Sequence, residues 1–218
     1  MNFVHLPRLP CWSARIRLAI CFFFFFCLAV SGRSQALPGV NEGDVIFQTS
    51  RSGQSQAIQQ ATGSRYSHMG IILFQQGKPY VFEASTKVKY TPLAKWIARG
   101  TDGHYVVKRL KTARGILTPE ALKKLHETAT TFAGKAYDLS FEWSDDRIYC
   151  SELVWKIYDR ALGIQIGKLQ KIREFNLDAP AVKQKLQERY GNNVPLEETV
   201  ISPQAMFESP LLMVVAEQ

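Results

Sequence analysis

Cys150, His68 and Glu83 are the side chains of this sequence whose types and settings suit nucleophilic catalysis. Cys150 stands in Tyr149-Cys150-Ser151-Glu152-Leu153, where a loop passes into an amphipathic helical pattern. A thiol in the first turn of a helix faces backbone N–H groups without intrahelical partners and the positive end of the dipole. Both favour the thiolate. The same N–H groups can hold an oxyanion that develops on an attacked carbonyl. Taken alone, a cysteine just ahead of an apolar stripe is more readily an inert core residue, because free cysteine packs as a small hydrophobe.

His68 alters that balance. It opens an apolar run in Ser67-His68-Met69-Gly70, after the turn-like Tyr66-Ser67. An imidazole at a strand mouth can act as general base toward a thiol, although a structural histidine fits that place equally well. Glu83 interrupts the apolar run Tyr80-Val81-Phe82, where a carboxylate is costly unless it has a partner. Gln75-Gln76-Gly77-Lys78 separates the two runs, so they read as a β-hairpin. A turn centred between Gln75 and Gln76 sets His68 opposite Glu83. A turn centred between Gln76 and Gly77 makes them diagonal neighbours on one face. An odd loop puts them on opposite faces. In the first two registers the side chains lie within about 5–8 Å, and Glu83 can orient the imidazole as the third member of a triad. The alternative for Glu83 is an outward glutamate on a half-buried strand.

Other candidates are softer. Tyr137 and Tyr149 are near enough in sequence to line the cysteine or to donate to an oxyanion, yet both suit a core. Asp44 after Gly43 reads as a turn-stabilising acid, and Asp145 and Asp146 as shapers of the loop before the cysteine helix. His104 opens a strand without a matching acid. His126 lies among Lys123, Lys124 and Glu127 and is expected to face solvent. There is no phosphate loop, dinucleotide fingerprint, G-x-S-x-G elbow or paired-cysteine zinc pattern. One thiol and one imidazole are a thin donor set for zinc. No metal and no cofactor are expected.

The elements that must position these groups follow from periodicity and punctuation. Strands are expected at Gly43–Phe47, Met69–Phe74, Tyr80–Ala84, Lys87–Tyr90, His104–Leu110 and Leu211–Val215. Helices are expected near Gly53–Ala61, after Thr91-Pro92 through Ala98, from Thr118-Pro119 to Gly134, from Cys150 to Gly163, from Asp178 to Tyr190, and briefly after Ser202-Pro203. Strands gather early and helices late. That pattern predicts an α+β fold with an antiparallel sheet packed against helices.

The N-terminus has the organisation of an export signal. Arg8, Arg15 and Arg17 make a basic region without an acid, Leu18–Val30 is apolar, and Ser34-Gln35-Ala36 fits a cleavage site. The apolar run is short for a membrane span, which needs about 20 residues. Residues 1–36 are therefore expected to be a cleaved signal peptide, with an uncleaved anchor as the alternative. Residues 37–218 are expected to be one domain, periplasmic or secreted. Cys11, Cys21 and Cys27 lie in the leader, so Cys150 is the only cysteine beyond it and has no internal disulfide partner. A lone thiol in an oxidising compartment is a liability unless it is buried or useful. Half of the formal charge of +8 comes from Arg8, Arg15, Arg17 and Arg33 of the leader. The remainder is only mildly basic, and no basic-aromatic interleaving points to nucleic acid.

The order histidine, acid, cysteine reverses that of papain. Together with Gly43-Asp44-Val45-Ile46-Phe47, Tyr66-Ser67-His68-Met69-Gly70, Tyr80-Val81-Phe82-Glu83-Ala84 and Tyr149-Cys150-Ser151-Glu152-Leu153-Val154-Trp155, it resembles the circularly permuted papain-fold amidases of the NlpC-type superfamily, YaeF/YiiX group. Glu197-Glu198-Thr199-Val200-Ile201-Ser202-Pro203 is most like the YiiX members. The resemblance spans essentially all of 37–218. It implies a permuted papain-like fold, with an antiparallel sheet or partial barrel against helices. It also implies a cysteine amidase or peptidase with Cys150 as nucleophile, His68 as base and Glu83 as the polar third residue. The expected substrates are peptide or peptidoglycan amides. The alternatives are a lipid acyl hydrolase or acyltransferase with the same triad, or a non-catalytic wall- or lipid-binding module.

Overall fold

The computed structural model describes residues 39–218 together with Met1. The export-signal expectations fall outside the described residues. In chain order the elements are β1 (Val45–Gln48), α1 (Ser55–Thr62), β2 (His68–Gln75), β3 (Lys78–Ala84), β4 (Val88–Pro92), α2 (Leu93–Arg99), β5 (Val106–Leu110), α3 (Ala113–Ile116), α4 (Pro119–Phe132), β6 (Ala136–Tyr137), β7 (Arg147–Ile148), α5 (Cys150–Leu162), β8 (Gln170–Lys171), α6 (Pro180–Tyr190), β9 (Thr199–Val200), α7 (Pro203–Phe207) and β10 (Leu212–Glu217). Turns of 3₁₀ helix lie at Thr101–Gly103 and Ile172–Glu174.

Six strands form an antiparallel sheet in the order β10-β5-β1-β2-β3-β4. The strand period of two sorts the side chains onto two faces. Val45, Phe47, Met69, Ile71, Leu73, Phe82 and Ala84 enter one core with Leu125 and Phe132 of α4 and Leu153 and Ile157 of α5. Ile46, Ile72 and Val81 enter a second core, closed by Leu93 and Trp96 of α2. Helices thus cover both faces, and the strands read as near-continuous apolar runs. The mixed fold with an antiparallel sheet against helices is the one expected.

Local signals set most element ends. The Thr118 hydroxyl accepts from the Ala121 N–H at 3.3 Å, and the Ser202 hydroxyl from the Ala205 N–H at 3.0 Å. Each such cap satisfies an orphan donor of the first turn. The β2–β3 connection is the two-residue loop Gln76-Gly77, with φ of 50° and 74°. Positive φ at both central residues is what a type I′ hairpin turn requires, and its twist matches that of the strands.

Three expectations need correction. Thr91 does not cap a helix: it lies within β4, and α2 begins only at Leu93. The strand read from His104 starts at Val106, because Thr101–Gly103 coils into a 3₁₀ turn and its hydrogen bond from the His104 N–H to the Thr101 carbonyl holds the chain out of the sheet. The helix at Cys150 is not amphipathic in its surroundings, for every residue from Cys150 to Tyr158 is buried. Glu152 and Lys156 go under with it as an ion pair at 2.7 Å.

Candidate active site

The hairpin register decides the geometry of the imidazole and the acid. Ile71 pairs with Phe82 and Gln75 with Lys78, so the turn centres between Gln76 and Gly77. Continued toward the strand start, this register sets Gly70 across from Glu83 and makes His68 the diagonal neighbour on the same face. The contact is closer than diagonal spacing alone gives: His68 Nε2 lies 2.6 Å from Glu83 Oε2. Gly70 makes room for it. A Cβ built there would meet Val81 Cγ1 at 2.4 Å and the Phe82 carbonyl at 2.8 Å.

Glu83 is fully buried, and the neighbouring elements supply it with donors. Thr91 Oγ1 of β4 donates to Oε1 at 2.6 Å. Trp96 Nε1 and Arg99 Nη2 of α2 donate to Oε2 at 3.0 and 2.5 Å. Trp96 also stacks on the His68 ring, with centroids 5.8 Å apart and planes at 24°. Burial alone would raise the carboxyl's pKa. The hydrogen bonds and charges of His68, Arg99 and Thr91 outweigh it and hold the pKa down at about 2. Glu83 is therefore an anion whose orientation is fixed on several sides.

His68 opens β2 and is 8% exposed. Its Nε2 is engaged by Glu83, which leaves Nδ1 for the thiol. Burial lowers its pKa, but hydrogen bonds to Cys150 and Glu83 and the negative charge on both raise it to about 9. The imidazolium is thus the favoured form between the two groups.

Cys150 is the first residue of α5 and is 2% exposed. Tyr149 before it is extended, with φ of −102° and ψ of 169°, and its side chain makes no cap. The first-turn N–H groups at Cys150 and Ser151 have no intrahelical acceptor. By strand parity His68 and Glu83 belong to the α2 face of the sheet, whereas Cys150 belongs to the core on the other face. They meet at the sheet end where β2 begins.

The remaining candidates separate by contact. The Tyr137 hydroxyl accepts from Gln54 Nε2 at 2.7 Å, and its pKa is pushed well up by burial and by Cys150, so it borders the thiol. The Tyr149 hydroxyl accepts from the Ile201 N–H at 3.0 Å and braces the core. Asp44 holds its turn, accepting from the Asn41 N–H at 2.7 Å and pairing with Arg109 Nε at 2.7 Å. Asp145 binds Lys156 and Arg160, as a loop-shaping acid does. His126 departs from the solvent-facing reading and pairs with Glu42 at 2.5 Å. Thr91, Trp96 and Arg99 were missed by sequence reasoning. The three-residue spacing of Trp96 and Arg99 on a short helix is the one signal that both share a face toward β3.

Two depressions meet at this site. On the cysteine side, Cys150, Tyr149 and Ile201 join α1 and α6 residues around an apolar pocket of about 120 Å³ that opens to solvent. On the histidine side, His68, Ser67, Arg51 and Arg99 line a second cleft with a larger polar share than the first. Tyr137, Gln54 and Arg189 border both.

The chain is 57% identical over 176 residues to the uncharacterized protein YiiX of Escherichia coli strain K12, covering 81% of this chain and 86% of YiiX. The solved structure of YiiX from Escherichia coli O157:H7, described as a metalloprotein, is similar with a TM-score of 0.79 at 56% identity. That similarity covers 83% of this chain and 98% of the YiiX chain. Residues 39–216 match the permuted papain-like amidase enzymes of the YaeF/YiiX, C92 family, and the chain belongs to that family.

Proposed function

We propose that the chain is an exported thiol amidase that works through Cys150, His68 and Glu83 and a covalent acyl-enzyme. The observation that carries this reading is His68 held at 2.6 Å by the buried Glu83 carboxylate through Nε2, with the Cys150 thiol at the first turn of α5 beside the same ring. Family membership supports amide hydrolysis as the reaction class. The basic, apolar and small-residue pattern of the leader supports export to the periplasm or beyond. Among the described residues no helix is long and apolar enough to cross a membrane.

In the first half-reaction the Cys150 thiolate adds to the amide carbonyl, and first-turn N–H groups of α5 donate hydrogen bonds to the developing oxyanion. The C–N bond breaks as His68 gives its proton to the leaving nitrogen, and a thioester remains on Cys150. In the second half-reaction water attacks the thioester while His68 takes one of its protons. The C–S bond then breaks and releases the acid, restoring thiolate and imidazolium. Glu83 keeps the ring oriented and stabilises its charged form throughout.

The YiiX description raises the question of a metal. Glu83 here is already held by the Arg99 guanidinium, and no group of three or more His, Cys, Asp and Glu side chains able to hold a metal lies together among the described residues. The donor set does not fit a resident metal, and no step is routed through one.

Iodoacetamide labelling and amide turnover of residues 37–218 test the reading. Alkylation of Cys150 is expected well below pH 8.5, the approximate pKa of a free thiol. Cys150→Ala and His68→Ala are each expected to abolish hydrolysis while the melting temperature stays nearly unchanged. An alkylation profile like that of free cysteine, or activity retained in either variant, overturns the mechanism.

A further inference from the structure

The cleft on the histidine side gathers cations. Arg51, Arg99, Arg189 and Lys185 line it beside His68, and Glu188 is the one acid among its described lining residues. Lys185 and Glu188 pair with each other at 2.5 Å. Three guanidinium groups and the imidazole remain. Like charges that converge on one cleft repel, and an anion between them removes that cost.

The fold places these groups and leaves them N–H donors to spare. Arg189 Nη2 donates to the Gln54 side-chain oxygen at 2.7 Å, and its guanidinium lies 5.0 Å from the Phe141 ring centroid. Arg51 is exposed on a loop tied to the start of β2, where the Ser50 N–H donates to Ser67 Oγ at 2.9 Å. Among the described residues neither arginine has a carboxylate partner. Arg99 Nη2 donates to Glu83 Oε2 at 2.5 Å, yet the Arg99 side chain is 41% exposed. A guanidinium carries five N–H donors, so a single contact to Glu83 leaves others free to face the cleft. Its fork matches the oxygens of a carboxylate or a phosphate in bidentate geometry.

Arg99 also connects the cleft to His68. The charged and titratable groups around the imidazole are Glu83 of β3, Arg99 of α2 behind Glu83, Cys150 of α5 and, along the cleft, Arg51, Arg189 and Tyr137. Glu83 stabilises the imidazolium by its charge, and Arg99 offsets part of that charge. An anion that takes up the free side of Arg99 weakens the offset. It also adds its own negative charge beside the ring. Both effects favour the imidazolium.

We propose that this cleft is an oxyanion-binding site, for a carboxylate, phosphate or sulfate group, formed by Arg51, Arg99 and Arg189, and that Arg99 relays its occupancy through Glu83 to the charge on His68. The occupied site keeps His68 protonated to higher pH. By linkage, the imidazolium in turn tightens the hold on the anion. On the thiol-amidase reading given above, this is the form that gives a proton to the leaving nitrogen. The site itself does not depend on that reading.

The test follows the His68 ring by NMR in residues 37–218 with isotope-labelled histidine. pH titrations are run in sulfate, which keeps its charge throughout, and in sodium chloride of matched ionic strength. The His68 midpoint is expected to rise by about half a pH unit or more, saturably in sulfate, as a nearby opposite charge produces. His126, paired with Glu42, is the internal control and should stay in place. Arg51→Gln and Arg189→Gln should each raise the half-saturating sulfate concentration about ten-fold, the scale of one lost charge-assisted hydrogen bond. Arg99→Gln should raise the His68 midpoint even without sulfate, and sulfate should then add less; Arg99→Met serves should that variant not fold. A shift no larger than chloride gives overturns the site. Unchanged half-saturation in both Arg51→Gln and Arg189→Gln overturns its placement in the cleft. An Arg99→Gln midpoint at or below that of the wild type overturns the relay. Two further arms, run in Cys150→Ala, identify the source of the anion. N-acetylglycine carries a carboxylate on the amine side of its amide, and N-acetylglycinamide does not. N-acetylglycine acting at lower concentration than sulfate assigns the site to a substrate carboxylate, and the reverse order assigns it to a free ion. Equal shifts from N-acetylglycine and N-acetylglycinamide overturn oxyanion recognition. None of these readouts requires turnover, so an inactive protein sinks the amidase reading and leaves the anion site standing.

Discussion

Glu83 and Glu152 are both completely buried carboxylates with a basic partner within 2.7 Å, and their surroundings drive them in opposite directions. Glu83 sits in the hairpin and accepts hydrogen bonds from Thr91, Trp96 and Arg99 besides its contact with His68. Its pKa falls to about 2. Glu152 lies two residues past the thiol on α5, with the Lys156 ammonium at 2.7 Å and one long backbone bond from Tyr149 at 3.4 Å. Lys156 divides its attention with the Ser144 carbonyl at 2.6 Å and Asp145 at 2.9 Å. For Glu152 burial wins over Lys156, and the pKa rises to about 7. Depth alone therefore does not decide the state of a buried acid. The number and quality of donors do. The acid beside His68 is the one built to remain an anion, whereas the acid inside α5 is poised near neutrality.

The largest expected difference between the two is in turnover. Glu83→Gln should lower kcat/KM by about 10³-fold or more, the scale seen when the orienting acid of a triad is neutralised. Glu152→Gln should stay within about ten-fold of the wild type. Equal losses in the two variants would break the distinction.

Next in size are the opposed effects on stability, read by urea unfolding across pH. Glu83 has a folded pKa of about 2 against an ordinary 4.5, so its contribution is present above 4.5 and lost as pH falls toward 2. The wild type should gain about 3 kcal/mol over Glu83→Gln as pH climbs through that window. Glu152 has a folded pKa of about 7 against 4.5, so the folded state holds its proton and stability is lost as pH rises through 7. The wild type should lose about 3 kcal/mol relative to Glu152→Gln over that rise. Slopes of the same sign would refute the contrast.

The smallest effect is on the alkaline limb of kcat/KM. His68 titrates at about 9, because Glu83 and Cys150 both favour its charged form. The activity limb is expected near pH 9, and the residual activity of Glu83→Gln should show the limb at lower pH. The Glu152→Gln limb should stay in place. A limb unmoved in Glu83→Gln would mean that Glu83 positions the ring without setting its charge.

Much of this was legible in the sequence because the relevant physics is local. Thr118-Pro119 and Ser202-Pro203 announce helix starts through side chains that bond a backbone N–H three residues on. Gly163 ends α5 with φ of 68°, a conformation glycine takes without penalty. Glu83 stood out because a carboxylate inside an apolar strand needs partners. Its partners were less legible. Thr91 and Pro92 carry the signature of a helix start, yet pairing of Thr91 with Val81 in the β3–β4 ladder takes that segment into the sheet. The outer face of α5 also misled, since polar Ser151, Glu152 and Lys156 suggest solvent. Helix and loops cover that side, and Ser151 bonds the Ile201 carbonyl at 2.7 Å.

From side-chain type and spacing alone, Cys150, His68 and Glu83 could be singled out as candidates, together with most of the strands and helices and the two registers in which His68 and Glu83 share a face. Each depends on side-chain type and on spacing over a few residues. Only the tertiary structure decided among the registers, through the positive φ of Gln76 and Gly77 and the room left at Gly70. It alone brought Trp96 and Arg99 onto Glu83, and it alone joined α1 and α6, more than a hundred residues apart in the chain, into the pocket beside Cys150. Contacts between distant segments depend on the sum of many weak packing terms, and no short stretch of chain encodes that sum.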